Sequence, residues 1–259
     1  MTPVSFASLS QTAPPLWQGL WSTLAKLSDQ PDMGQLNQCA EDAGITNTRG
    51  LPIKFADQAA ACGQREYEEQ ISTLGLVPTR PNHWHDMLNA CMWLTYPKTK
   101  AALNTVHVSQ PKGPERTPAS DAATIFDESG AILLGPDPQL AGWLRDHDWK
   151  AAFVTHRALW RTHHLLIIGH SVLEKLAAPY PGMIAKVIYQ PWPALDCHDL
   201  HAPPDGLDAA IAKRWLANEF TKPSELFPLP VLGVPGADSE SEDPRYYDNE
   251  AVFRPKRKP

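Results

Sequence analysis

The chain has 259 residues, 42% of them hydrophobic and 20% charged, and a net charge of -6. That length and apolar content suffice for a sizeable core, and the acidic balance excludes a general attraction to nucleic acid or anionic lipid. The 26 prolines are about twice the usual share and predict long ordered loops between short elements.

Residues 1 to 17, MTPVSFASLSQTAPPLW, lack the early positive charge and continuous apolar core of a secretory leader. LWQGLWSTLAKL places Leu16, Trp17, Leu20, Trp21, Leu24 and Leu27 at helical spacing, an amphipathic helix whose tryptophan pair reads as a docking face. NQCAEDAGI predicts a second short helix ending near Gly44, and RGLPIKFAD a loop with a short strand. QREYEEQISTLG predicts a helix with Tyr67, Ile71 and Leu74 on one face, stopped by Gly75.

The stretch from Arg80 to Val108 predicts a helical hairpin. Asn82 is a residue type that favours N-caps, the spacing suits a helix to about Thr95, and Pro97 ends it and starts the next. His85 and Asn89 share one face of the first helix, and Lys100, Asn104 and His107 share one face of the second. Two polar faces are thereby expected to point at one another.

After the proline-rich loop at 111 to 118 the pattern changes. AATIF, DESG and AILLG read as two strands joined by a turn, PDPQLAGWLRDHDW as a helix, AAFVTH as a third strand and HHLLIIG as a fourth. HSVLEKLAAPY follows as a helix and AKVIYQPW as a fifth strand, which Pro191 terminates. LDAAIAKRWLANEF is a last amphipathic helix. From Lys222 onward the proline content excludes regular structure, yet the apolar and aromatic residues predict an extended strap on the surface.

These elements define an α+β fold: a helical N-terminal half packed on a mixed or antiparallel sheet of about five strands, with a proline-rich C-terminal strap. A single domain over 1–259 is expected, with a helical N-terminal region at 1–65, a core at 66–220 and the strap at 221–259. Nowhere do eighteen apolar residues run together, so no membrane-spanning helix is expected. Cys39, Cys62, Cys91 and Cys197 contain no CxxC pair, and reduced thiols in a cytoplasmic protein are the default expectation.

Three clusters carry candidate chemistry. His85, Asp86 and His107 are ligand types for a metal or polar ligand, and equally can tie two helices together by buried hydrogen bonds. His170 and Glu174, four apart after a strand that closes on Gly169, can face one point, but the pattern falls short of HExxH. GHSVL resembles a nucleophile elbow around Ser171 with Leu173 in place of the second glycine. Asp121, Asp127 and Glu128 could hold magnesium, although Asp127 and Glu128 read as turn residues. No phosphate-binding GxxxxGK[ST] or GxGxxG is present.

PTRPNHWHDMLNACMWLTYPKTKAALN, DAATIFDESG, GHSVLEKLAAPY, LPVLGVPG and YYDNEAVFRP together resemble the bacterial family catalogued as domain of unknown function 3025. The similarity runs from about Tyr67 to Pro255. It implies one compact cytoplasmic domain and brings no activity with it.

Two functions from different classes follow. In the first, the chain is a metal-dependent hydrolase with a divalent ion on His85, His107 and His170. Asn89 and Asn104 bind the ligand, Glu174 or Asp86 accepts a proton from bound water, and Lys100 stabilises developing negative charge. In the second it is a non-catalytic interaction domain with structural histidines, its protein partner docking on the tryptophan-rich N-terminal helix or the strap. A nucleic-acid role would rest on the terminal RPKRKP alone.

Overall fold

The structure is a computed structural model that describes residues 14–57, 64–111, 116–195 and 200–256. Residues 1–13, Cys62, Cys197 and the last three residues of the basic tail lie outside these ranges, and so do the expectations placed on them.

The fold is α+β. Its main sheet has four strands in the order β4-β3-β5-β6, with β3 at Gly130–Gly135, β4 at His164–Ile167, β5 at Ile184–Pro191 and β6 at Phe227–Pro230. Strand β3 pairs antiparallel with β4 and parallel with β5, and β5 pairs antiparallel with β6. Every residue of β3 is buried, which is why AILLG is continuously apolar. Each such Leu or Ile contributes about 2 kcal/mol relative to an exposed side chain. A separate two-stranded parallel sheet joins β1 (Lys54–Asp57) to β2 (Leu76–Thr79).

Short helices precede the sheet. The expected N-terminal helix is interrupted: a 3-10 turn at Pro14–Trp17 and a single turn α1 at Trp21–Leu24 flank Gly19, whose φ of +85° breaks the helical path. Leu16, Trp17 and Leu20 are wholly buried, so the face read as a docking surface packs into the core. Helix α2 (Met33–Asp42) is capped by Asp32, which accepts the Gln35 N–H at 2.8 Å. Helix α3 spans Gln64–Leu74, and Leu74 at its end is 60% exposed rather than buried.

The helical hairpin consists of α4 (Trp84–Thr95) and α5 (Pro97–Ser109), hinged at Tyr96 with Pro97 in the first turn of α5. The N-cap of α4 is His83, while Asn82 adopts the left-handed region at φ 56°.

Three expectations need correction. AATIFDES is not half of a strand hairpin but helix α6 (Pro118–Ser129). Thr117 accepts the Ser120 N–H, Pro118 occupies the first turn, and Ala122, Ala123 and Phe126 form its buried stripe. The β-branched Thr124 and Ile125 masked this helical period. AAFVT is a π-helical turn at Ala151–Thr155, held by Phe153 stacking on Trp160 and Tyr247. The strap is not wholly irregular: β6 lies within it, with Pro228 and Pro230 on an edge strand where a missing N–H costs no ladder bond. Of the five strands expected, AATIF and AAFVTH are therefore helical and AKVIYQPW is β5, so the main sheet has four strands among the described residues, with β6 joining it from the strap.

After α7 (Gln139–Asp146) and β4, the chain turns through Gly169 into the short helix α8 (His170–Lys175). A Cβ on Gly169 would lie 2.5 Å from Glu128 O and Gly130 N. Only glycine lets the end of β4 pass this close to the α6–β3 junction, and that approach brings α8 beside α4 and α6. Helix α9 (Leu207–Leu216) packs on α5 from the other side.

Candidate functional site

Five helices converge on a cavity of about 330 Å³. Helix α3 contributes Tyr67 and Glu68, α4 contributes His85, Asp86 and Asn89, and α5 contributes His107. Helix α6 adds Asp127 and Glu128, and α8 adds His170.

The side chains form a connected line of contacts. His85 Nδ1 lies 2.8 Å from Glu174 Oε2, and its Nε2 lies 3.1 Å from His170 Nε2. With the Nδ1–H of His85 donated to the carboxylate, its Nε2 accepts the Nε2–H of His170. His170 Nδ1 is 4.0 Å from Asp127 Oδ2 and has no hydrogen-bond partner among the described residues. Asp127 also takes the Lys100 ammonium, which donates to Asn89 Oδ1 at 2.7 Å as well. The Asn89 amide in turn donates to the Tyr67 hydroxyl at 2.8 Å.

Burial and charge set the protonation states. Burial pushes the His170 imidazole down to about 3, with Asp127 opposing and Lys100 and His85 adding, so the ring is neutral. Burial alone would raise the Asp127 carboxyl, but the Lys100 and His170 side outweighs it and the net direction is down. Asp86 is likewise lowered, its burial outweighed by two hydrogen bonds from the Arg80 guanidinium and one from the Arg80 N–H, all 2.8 Å. Glu68 moves the other way: burial raises it against His107 and Asn104. Burial also raises Tyr67 well above the ordinary phenol value.

The structure thus brings His85, Asp86, Asn89, His107 and His170 to one cavity, with Glu174 on its His85 side. The two others stand behind it. Lys100 is 4% exposed and its ammonium bonds Asp127 and Asn89, two residues of the cavity wall. Asn104 donates to the Glu68 carbonyl and carboxylate at 2.9 and 2.7 Å. His107 faces Ser120 Oγ at 2.9 Å and Glu68 Oε1 at 3.9 Å, not His85. Among the described residues the hairpin's polar faces are hydrogen-bonded to one another through Asn89 and Lys100. Among the described residues no three His, Cys, Asp or Glu side chains are grouped to hold a metal ion.

Sequence reasoning passed over Tyr67 and Glu68, and it weighed Asp127 and Glu128 chiefly as turn residues. The signal for the last two was Thr117 followed by Pro118, which starts the twelve-residue helix Pro118–Ser129 and sets both carboxylates on its final turn. Ser171 is buried on α8.

The fold and cavity define an α+β protein with a titratable pocket walled by helices. The chain belongs to the family described as Protein of unknown function (DUF3025), whose model matches residues 53–257. No curated protein and no solved structure matches the chain. Among the described residues no helix is long and apolar enough to cross a membrane.

Proposed function

We propose that the pocket is a reactive site in which His85 moves a proton to or from a small polar ligand, with hydrolysis as the reaction class. The carrying observation is the line Glu174–His85–His170, at 2.8 and 3.1 Å. A carboxylate on Nδ1 fixes the tautomer, and Nε2, which accepts the His170 Nε2–H at rest, serves as the base once that bond is exchanged for a bound water. Water bound at His85 Nε2 gives its proton to the ring as its oxygen attacks the acyl or phosphoryl centre of the ligand, and the imidazolium returns that proton to the leaving group as the bond to it breaks. His170, neutral and buried, contributes a donor rather than a charge.

A metal-assisted form of this reaction is favoured by one observation. Two Nε2 atoms 3.1 Å apart nearly match the separation of about 3.3 Å for two imidazoles on one tetrahedral zinc. Glu174 stands on the Nδ1 side of His85, where a carboxylate steadies a metal-binding histidine. Such an ion would take its remaining ligands from water and substrate.

The rival reading, a non-catalytic interaction domain, draws on Asp86 and Asn104, whose polar atoms are satisfied within the fold. The test is a screen of chromogenic esters, amides and phosphoesters, with and without added zinc or manganese, using the full chain and His85→Ala. Turnover that the substitution abolishes supports the reactive site. Folded protein inactive on all three classes under both conditions removes the hydrolase.

A further inference from the structure

We propose that the Tyr67 hydroxyl is the donor that stabilises the oxyanion in this pocket, and that the substrates are uncharged esters or amides rather than phosphoesters; this deepens, and rests on, the reading of His85 as the base.

The inference comes from the direction in which each hydrogen bond behind the cavity wall must run. The Lys100 ammonium has only protons to give, so the atom of Asn89 that faces it at 2.7 Å is the carbonyl oxygen. That fixes the amide, and its NH2 group is the side that meets the Tyr67 oxygen at 2.8 Å. An amide N–H only donates, so the phenol oxygen accepts and its own proton is directed elsewhere. Among the described residues no hydrogen bond takes that proton. Tyr67 is partly buried and lines the same cavity as His85 and His170, so the proton is available to a ligand there.

Burial raises Tyr67 well above the ordinary phenol value, with Glu68 and Asp127 adding, so the group stays a neutral donor. A phenol that keeps its proton cannot act as a base or nucleophile, but it can meet negative charge developing on an oxygen. The chain Lys100–Asn89–Tyr67 runs from a cation to the cavity, and each bond in it polarises the next, which strengthens the terminal O–H as a donor. Asn89 and Lys100 are thereby positioning residues. Asn89 also follows His85 by one turn of α4, where Cβ atoms stand about 5–6 Å apart. The base and the hydroxyl that Asn89 holds thus serve the cavity from neighbouring turns, as an attacking oxygen and an oxyanion on one carbon require.

When the water at His85 Nε2 bonds to an acyl carbon and its proton passes to the ring, the carbonyl π pair moves onto oxygen. That oxygen takes a hydrogen bond from Tyr67 without taking its proton. The pair returns as the bond to the alcohol oxygen or amine nitrogen breaks, and the imidazolium protonates that leaving group. An acyl centre develops its charge on one oxygen, which one neutral donor suits. A phosphoester brings its charge with it, into a cavity lined by Glu68, Asp86, Asp127 and Glu128.

The full chain is assayed on p-nitrophenyl butyrate and p-nitrophenyl phosphate beside Tyr67→Phe, Asn89→Leu, the two combined, and His85→Ala, each checked for a native circular dichroism spectrum. The ester is turned over and the phosphate is not, and Tyr67→Phe lowers kcat on the ester about a hundredfold with KM little changed. Asn89→Leu lowers kcat alone but adds nothing to Tyr67→Phe, which a merely structural role would not produce. A second measurement needs no turnover: calorimetric binding of trifluoromethyl butyl ketone, whose hydrate carries the tetrahedral carbon of the intermediate, against methyl butyl ketone. Wild type favours the fluorinated ketone about tenfold or more, and Tyr67→Phe loses that preference. Equal kcat in wild type and Tyr67→Phe, preference for the phosphate, or equal binding of the two ketones overturns the proposal. Turnover that His85→Ala abolishes and Tyr67→Phe leaves intact keeps the reactive site and removes only the oxyanion role. Absence of both turnover and ketone preference removes both.

Discussion

His85 Nδ1 stands 2.8 Å from Glu174 Oε2, so a ring on the first turn of α4 is oriented by a carboxylate from α8. Without that carboxylate only the Nε2–H of His170 favours the proton on Nδ1. Nitrogen-15 NMR of the neutral form should show one His85 tautomer in the wild type and a mixture in Glu174→Ala. An unchanged tautomer in the variant would mean that His170 alone fixes the ring.

How much of this site was legible depends on whether local spacing or tertiary packing set each residue's place. Pro97, the apolar run of β3 and the glycine closing β4 announce elements through backbone and burial rules, and the hairpin, the central strand and α8 stand where those rules put them. The α6 segment misled because Thr124, Ile125 and Phe126 look like a strand in isolation, whereas Thr117 and Pro118 start a helix. The meeting of His85 with His170 depends on packing between α4 and α8 across 85 residues of chain, which no spacing rule encodes. His107 illustrates the converse: it shares a helical face with Lys100, yet rotation of α5 against α3 and α6 turns it toward Glu68 and Ser120.

Lys100 offers a stability test. Its ammonium is buried between Asp127, Asn89 and the face of Trp93, 5.7 Å away. Lys100→Met leaves the Asp127 carboxylate without its cation, a loss of about 3 kcal/mol on the scale of broken buried pairs. Adding Asp127→Asn removes the stranded charge and should recover part of that loss in urea denaturation. A single-variant loss below about 1 kcal/mol would show that the 24% exposed Asp127 side chain is rescued by water.

Gly169→Ala tests the close approach that places α8. The added Cβ would meet Glu128 O, Gly130 N and Ser129 Cα, each at 2.5 Å. All three are backbone atoms, so relief requires moving β4 or the end of α6. Destabilisation of about 2–3 kcal/mol is expected from such overpacking, read from the urea midpoint at unchanged slope. A variant as stable as wild type would show that this junction yields easily, and would weaken the argument that glycine fixes the position of His170.

His170 should make the protein's stability depend on pH well above the carboxylate range. Burial holds its folded value to about 3, whereas the ring in the unfolded chain titrates near 6.5. Because the folded value is the lower one, the unfolded state binds the extra proton between them, and stability falls as pH drops from about 6.5 toward 3. The slope from this one group is at most about 1.4 kcal/mol per pH unit. His170→Asn cannot titrate, so the stability difference between wild type and variant should shrink as pH falls from 6.5 to 5. Within that window Asp127, whose folded value is lowered, stays ionised and contributes no slope. Glu68, raised by burial, is common to both proteins, and its own titration largely cancels in the difference. Denaturation at several pH values measures the two profiles. Parallel profiles would show that the ring takes up its proton in the folded protein as readily as in the unfolded chain, and His170 could then no longer be treated as the neutral donor beside His85.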